Sequence, residues 1–236
     1  MSSGSAPAPR RTGGLIFDFD GLILDTETPE YDVWCAIYRE HGCELPLAVW
    51  GECVGTAAGT FDPCAYLEAR CSRPVDRAAI ETDRQRRWGK LIAAQGALPG
   101  VERYLEDAAR LGLAVGLASS SSRDWVTGHL RRLGLLRYFG NLQCREDVAR
   151  VKPAPDLYLA AVAALGIEPG EAIAFEDSPH GVTAAQRAGL YCVAVPNALT
   201  RHLPLDHADL RLESLASLPL TSLIEHVWST PSAVLH

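Results

Sequence analysis

The sequence predicts an α/β fold, a parallel sheet with helices on both faces, interrupted near its start by a small α-helical unit. Three observations predict it. Apolar runs at 14–18, 113–118, 171–175 and 190–195 have strand length and no polar alternation, the pattern of strands buried on both faces. Helical stretches lie between the later runs, with glycines after helices and Pro196 after Val195. Residues 29–96 break this rhythm with a segment rich in Ala, Arg, Glu, Trp and Cys. Repeated strand-then-helix units imply parallel strands with helices on both sides.

In chain order, residues 1–12 read as a disordered leader of Ser, Gly, Ala, Pro and Arg, without the apolar region of a signal peptide. Strand 14–18 follows. The expected core comprises 13–28 and 97–228, and the inserted helical unit 29–96, with helices near 30–41, 63–71 and 76–95. Gly42, Gly55, Gly59 and Pro74 punctuate that unit. Leu98-Pro99-Gly100 closes it, and together with Thr28-Pro29 forms the expected pair of hinges. Helix 101–111 ends at Gly112, strand 113–118 at Ser119, and helix 123–133 at Gly134. A short strand or turn falls around 139–144. Helix 154–165 carries Leu157, Leu159, Val162 and Leu165 and stops at Gly166. Strand 171–175 runs into Glu176-Asp177, helix 179–188 stops at Gly189, and strand 190–195 stops at Pro196. Residues 209–212 and 219–228 add a last strand and helix, and 229–236 form a tail.

The bulk properties exclude several functions. The chain has 236 residues, 47% hydrophobic and 22% charged, enough for one large core with a smaller insert. A net charge of −7 argues against sequence-independent nucleic-acid binding, which needs basic residues to neutralise phosphates. No segment has the apolar length of a membrane span. The seven cysteines lack C-x-x-C spacing and fit reduced thiols in a cytoplasmic protein better than disulfides or zinc. No obligate protein partner is evident.

The opening strand poses a problem of charge. In FDFDG, Asp18 and Asp20 stand one residue apart at the end of an apolar run. Carboxylates this close repel unless a cation compensates them. Ligands of open α/β sheets bind beyond the carboxyl ends of the strands. The residues there are Asp18 and Asp20, Ser119, and Glu176 and Asp177, with Lys152 ahead of the following helix. So many acids with one lysine suit an anionic substrate only with a divalent cation. Magnesium fits, because it takes carboxylates, waters and phosphate oxygens. Asp18 and Asp177 supply carboxylates, Asp20 its main-chain carbonyl, and Glu176 a direct or water-mediated contact. Asp18 is placed as a nucleophile that forms an aspartyl-phosphate. Asp20 is placed as acid and then base, Ser119 as a hydrogen-bond donor to the transferring group, and Lys152 as its positive charge.

The segments FDFDGLILDTE, LASSSS, VKPAPD and FEDSPHG, in this order, resemble the four signature motifs of the haloacid dehalogenase superfamily, nearest its β-phosphoglucomutase-like phosphatases and mutases. The resemblance spans roughly Gly13 to Asn197. It implies a Rossmann-like core with a helical cap inserted after the first strand, Mg²⁺ as cofactor, and a small phosphorylated metabolite, such as a sugar phosphate, as substrate. It carries over Asp18 as nucleophile, Asp20 as acid/base, Ser119 and Lys152 as phosphate ligands, and Glu176 and Asp177 as the metal end. Gly21 and Ser120, beside two of these positions, join Glu30 and Arg84 as candidate substrate-contacting residues.

Bland alternatives compete at several positions. Ser121 or Ser122 reads as a helix N-cap, Ser178 as an N-cap before Pro179, and Glu176 as an acid favoured at a helix start. His180 reads as a surface residue, and Trp34 and Trp88 as cap core. Thr26, Glu27 and Glu30 lie where the chain enters the cap and could face the site. Mutases of the subgroup are expected to carry a histidine at the position of Glu30 and an arginine near Ala58, and this sequence has neither. Hydrolysis is therefore favoured over a phosphosugar mutase, and a non-catalytic binding protein is disfavoured because Asp18, Asp20, Ser119, Lys152 and Asp177 are all present.

Overall fold

The computed structural model describes residues 12–55, 61–71 and 74–229. The leader before Thr12, the stretch holding Ala58 and Gly59, and residues 230–236 lie outside the described residues. After β1 (Gly14–Phe17) come four helices, α1 (Glu27–Glu40), α2 (Leu47–Trp50), α3 (Pro63–Glu68) and α4 (Arg77–Ala94). The chain then alternates through α5 (Val101–Leu111), β2 (Ala114–Ala118), α6 (Arg123–Arg132), β3 (Asn141–Gln143), α7 (Asp156–Leu165), β4 (Ala172–Glu176), α8 (Pro179–Arg187), β5 (Tyr191–Ala194), β6 (Leu210–Arg211) and α9 (Leu220–Ser229).

All six strands are parallel, in the order β3-β2-β1-β4-β5-β6, the doubly wound order of Rossmann-like sheets. The register sets Leu15 beside Val115 and Ile173, and Phe17 beside Leu117 and Phe175. These side chains pack on one face with Tyr104 and Leu105 of α5, Val126 and Leu130 of α6, and Leu220 and Leu223 of α9. Ile16, Ala118, Ala172 and Ala174 face the other way, onto Leu157 and Tyr158 of α7 and Val182 and Ala185 of α8. Burial on both faces explains the unbroken apolar runs. A third cluster, Val33, Trp34, Ile37, Tyr38, Leu67 and Ile80, gives α1–α4 a core of their own, joined by Leu199 from the sheet unit. Among the described residues, no helix is long and apolar enough to cross a membrane.

Helix boundaries depart from the sequence reading where proline and turn chemistry intervene. α1 begins at Glu27, so Thr28-Pro29 lies in its first turn and not in the connector before it. Proline fits there because a first-turn N–H has no helical partner. The connector is instead residues 21–26, and Leu98 N donates to Ile23 O at 2.8 Å, tying it to the returning strand of chain. α7 starts at Asp156, two residues late, since Pro153 and Pro155 disfavour helical geometry in the residues before them. The Lys152–Pro153 peptide bond is cis. α2 has only four residues, too few for a helical period to register in the sequence.

Candidate active site

The hydrogen-bonded ladders extend one residue beyond two strands and thereby fix the first site residues. Asp18 N donates to Phe175 O at 3.0 Å, and Ser119 N to Gln143 O at 2.9 Å. Glu176 ends β4, which flanks β1 on the side opposite β2, so Asp18, Ser119, Glu176 and Asp177 share the carboxyl edge of the sheet. Lys152, from the loop before α7, is buried to 2% exposure and places Nζ 2.6 Å from both Asp18 Oδ1 and Glu176 Oε1. Tyr158 OH also donates to Glu176 Oε1, and Ser178 Oγ to Glu176 Oε2 at 3.3 Å. Asn197 Nδ2 donates to Asp177 Oδ2 at 2.9 Å and to Gly21 O at 3.1 Å.

Gly21 has φ +80°, and a Cβ there would stand 2.2 Å from Asp177 Oδ2. Only glycine lets the chain turn this close to the carboxylate. The same turn directs Asp20 away from Asp18. Its carboxylate accepts hydrogen bonds from Thr26 Oγ1 (2.9 Å), Trp125 Nε1 (2.9 Å), Ser121 Oγ (2.6 Å) and, more distantly, Ser119 Oγ (3.5 Å).

The electrostatics leave the acids undercompensated. One carboxylate oxygen from each of Asp18, Glu176 and Asp177 lies within 4.8 Å of the other two, with one ammonium beside them. Burial, reinforced by Glu176, pushes Asp18 up to about 8 despite Lys152. Burial followed by the charges of Asp18 and Glu176 holds Asp177 well above the carboxylate range. Burial alone would lower Lys152, but Asp18 and Glu176 outweigh it and raise it. Three buried hard-oxygen donors in surplus over one cation fit a divalent ion such as Mg²⁺. Glu176 has both oxygens engaged by protein donors, whereas Asp18 Oδ2 and Asp177 Oδ1 accept no hydrogen bond from the described residues. The Asp20 side chain lies outside this cluster.

Above the carboxylates opens a cavity of about 480 Å³, walled by the sheet edge below and by α1 and α4 above. Ser119, Ser120, Lys152, Asp18 and Asp20 reach it from the core, and Glu27, Glu30, Trp34, Arg84 and Trp88 from the cap. Ser120 Oγ donates to Gly55 O at 3.4 Å. Arg84 spends its donors on Glu81, at 2.9 and 2.6 Å, and on Glu30 at 3.2 Å. Burial raises Glu30, with Arg84 opposing, and burial followed by Glu30 raises Glu27 well above its ordinary range.

Every site residue read from the sequence reaches the cavity or the carboxylate cluster beneath it, except Gly21, whose part is to clear space for Asp177. Sequence reasoning missed four others. Tyr158 reads as a helix core position, yet its hydroxyl meets Glu176. Asn197 follows a strand-ending proline, with no signal beyond its place at a strand end. Ser121 is not a cap; Ser122 caps α6 by accepting from Trp125 N at 3.4 Å. Trp125, an indole in an otherwise polar first turn, was the visible clue in S-S-R-D-W. Trp34 is cap core but also faces the cavity, and Trp88 spans cap and core by stacking on Trp125. His180 is half-buried and its Nδ1 lies 3.1 Å from Val54 O, so it meets the cap rather than open surface.

Comparison with known proteins places this arrangement among relatives. The profile of the haloacid dehalogenase-like hydrolases matches residues 13–189. YhcW of Bacillus subtilis, which carries the provisional name of a phosphatase, is 50% identical over 213 residues, 90% of this chain and 96% of YhcW. Validoxylamine A 7'-phosphate phosphatase of Streptomyces hygroscopicus subsp. limoneus is 29% identical, over 86% of this chain and 94% of its own. The crystal structure of CbbY from Rhodobacter sphaeroides in complex with xylulose-(1,5)bisphosphate superimposes with a TM-score of 0.68 at 27% identity, covering 88% of this chain and 96% of that one.

Proposed function

This chain belongs to the haloacid dehalogenase-like hydrolases and is a phosphoric monoester hydrolase, and from that premise we propose that it cleaves a small phosphorylated metabolite, a sugar phosphate by preference, through an aspartyl-phosphate on Asp18 with Mg²⁺ bound. The observation that carries the reading is the buried Lys152–Asp18 pair beside Glu176 and Asp177 at one strand edge. Lys152 holds Asp18 Oδ1, which leaves Oδ2 for in-line attack on phosphorus. Glu176, with Tyr158 and Ser178 on its oxygens, fixes Lys152 from the far side. Ser119 and Lys152 bind the transferring phosphoryl oxygens, and Ser120 and Gly21 shape the loops around them. Asp20 protonates the leaving oxygen and then takes a proton from the attacking water. Asp18 and Asp177, with the carbonyl of Asp20, would hold Mg²⁺. When bound, the ion neutralises charge on the acids and on the phosphate.

Charge on the cap side favours hydrolysis over the mutase reading. Among the described residues Arg84 is the cap guanidinium that lines the cavity, and three of its five N–H donors already engage Glu81 and Glu30, whose carboxylates offset its charge, so a second phosphate would find little positive charge there. The decisive experiment is a phosphate-release screen over phosphorylated metabolites with Mg²⁺, run beside Asp18→Asn. The variant should lose activity by roughly 10⁴-fold or more. Wild-type turnover by Asp18→Asn would refute the assignment, and phosphate migration without release on adding a sugar bisphosphate would favour the mutase.

A further inference from the structure

Asp20 is held by donors that differ in kind. Oδ1 accepts from Thr26 Oγ1 and Trp125 Nε1, both at 2.9 Å. Oδ2 accepts from Ser121 Oγ at 2.6 Å, with Ser119 Oγ at 3.5 Å. A hydroxyl can donate or accept, so the threonine and both serines can reverse. An indole N–H only donates. While Trp125 stays in place, Oδ1 must keep a lone pair aimed at the indole, and because a protonated carboxyl oxygen is the weaker acceptor, the indole favours Oδ1 as the unprotonated oxygen.

The position of that indole depends on the cap. Trp125 lies on α6 of the core, and Trp88 lies on α4 of the cap. Their rings stack at 5.0 Å with an interplanar angle of 11°. Trp88 Nε1 also donates to Thr26 O at 3.3 Å. One cap side chain thus steadies both donors on Oδ1, while the two serines on Oδ2 belong to the core loop that follows β2.

Resting on the phosphatase reading above, we infer that Trp125 is a positioning residue for Asp20, keeping Oδ1 as the accepting oxygen so that Oδ2, on the side of Ser119, exchanges the proton with the leaving group, and that Trp88 holds Trp125 in register from the cap. In the first step the Asp18 oxygen bonds to phosphorus, the P–O bond to the leaving group breaks, and the proton on Oδ2 passes to the leaving oxygen. In the second, water attacks phosphorus, its proton passes to Oδ2, and the bond to Asp18 breaks. Asp20 ends as it began. An indole that could accept, or that swung away, would let the proton settle on Oδ1, where Thr26 faces it.

The test exploits leaving groups. An alkyl phosphate needs a proton on its departing oxygen, whereas p-nitrophenyl phosphate expels a stable anion and needs none. The ratio of kcat/KM for the two esters therefore reports the acid alone, since kcat/KM covers events through phosphoryl transfer. The probes are p-nitrophenyl phosphate and whichever alkyl phosphate the wild-type enzyme hydrolyses fastest. Trp125→Phe keeps a ring against Trp88 but deletes the N–H. It should lose roughly tenfold more activity on the alkyl ester than on the aryl ester. Trp88→Ala should show the same selective loss, and Trp88→Phe, which retains a stacking ring, should restore most of it. Because these two leave Trp125 intact, they test the inference even should Trp125→Phe fold poorly. Equal losses on both esters, no loss, or a gain on the alkyl ester would overturn the inference. Asp20→Asn separates the two levels. If it shows no leaving-group selectivity, the acid role itself fails; if it does and the tryptophan variants do not, only the inference falls.

Discussion

Lys152 is the residue on which the charge balance turns. It is buried between Asp18 and Glu176, 2.6 Å from each; Glu176 is wholly buried and Asp18 nearly so. Such a pair is weak evidence of net stabilisation, because desolvating the ions offsets most of their attraction. Removing one partner is different, since it strands the other charge in a low-dielectric interior. Lys152→Met should therefore destabilise the fold by about 3–5 kcal/mol, read from urea denaturation. The double variant Lys152→Met with Glu176→Gln should lose less, because the stranded charge goes with its cation. A double variant that lost the sum of both singles would show that the three groups do not act as one unit.

At the level of elements, the entry to α8 does two jobs through one hydroxyl. Ser178 Oγ accepts from Gly181 N at 3.1 Å as the N-cap and donates to Glu176 Oε2 at 3.3 Å. The helix start is pressed so close that a Cβ at Gly181 would stand 1.9 Å from Glu176 Oε2. Ser178→Ala should cost about 1–3 kcal/mol by chemical denaturation, the lost cap plus an unsatisfied buried oxygen, where an ordinary surface cap costs about 1. A loss under about 0.5 kcal/mol would mean that Glu176 finds another donor. The cap itself was legible in S-P at 178–179, and so were the strand-end acids, because local patterning and turn residues act over a few positions. The glutamate contact was not, since it depends on how α8 meets β4. The same division runs through the molecule. Pro29 looked like a break because proline usually ends helices, yet in the first turn of α1 it costs nothing. Trp125 reaches Asp20 from α6, 105 residues away, and Thr26 from the β1–α1 connector, six residues away, and only packing brings the distant one there. Tyr158 was hidden because its ring is a core group and only its hydroxyl carries polar work.

Across the whole molecule, strand order decides where charge must accumulate. In β3-β2-β1-β4-β5-β6 the winding reverses between β1 and β4, which opens the crevice where Asp18, Glu176 and Asp177 converge. The cap closes over that edge and deepens the desolvation that raises Asp18 to about 8 and Asp177 well above its ordinary value. The sign of the consequence is opposite to that of most paired carboxylates. A group whose folded value exceeds the unfolded one, 3.8 for Asp18, binds its proton more tightly when folded. That contribution is complete below the unfolded value and is lost as pH rises through the folded one. Protein treated with chelator should thus lose stability between about pH 5 and pH 8, visible as a falling Tm. Mg²⁺ at about 100 times its Kd should add about 2.7 kcal/mol at pH 8, and less at pH 5, where binding must first displace protons from its ligands. Asp18→Asn removes one of the raised carboxyls and should flatten the chelated slope while reducing the Mg²⁺ effect. Thermal melts in chelator and in Mg²⁺ at both pH values, on wild type and variant, decide the matter. A chelated Tm that climbs from pH 5 to pH 8, or an Mg²⁺ increment that Asp18→Asn leaves intact, would mean that the ion is held elsewhere and that the buried acids are compensated by the protein alone.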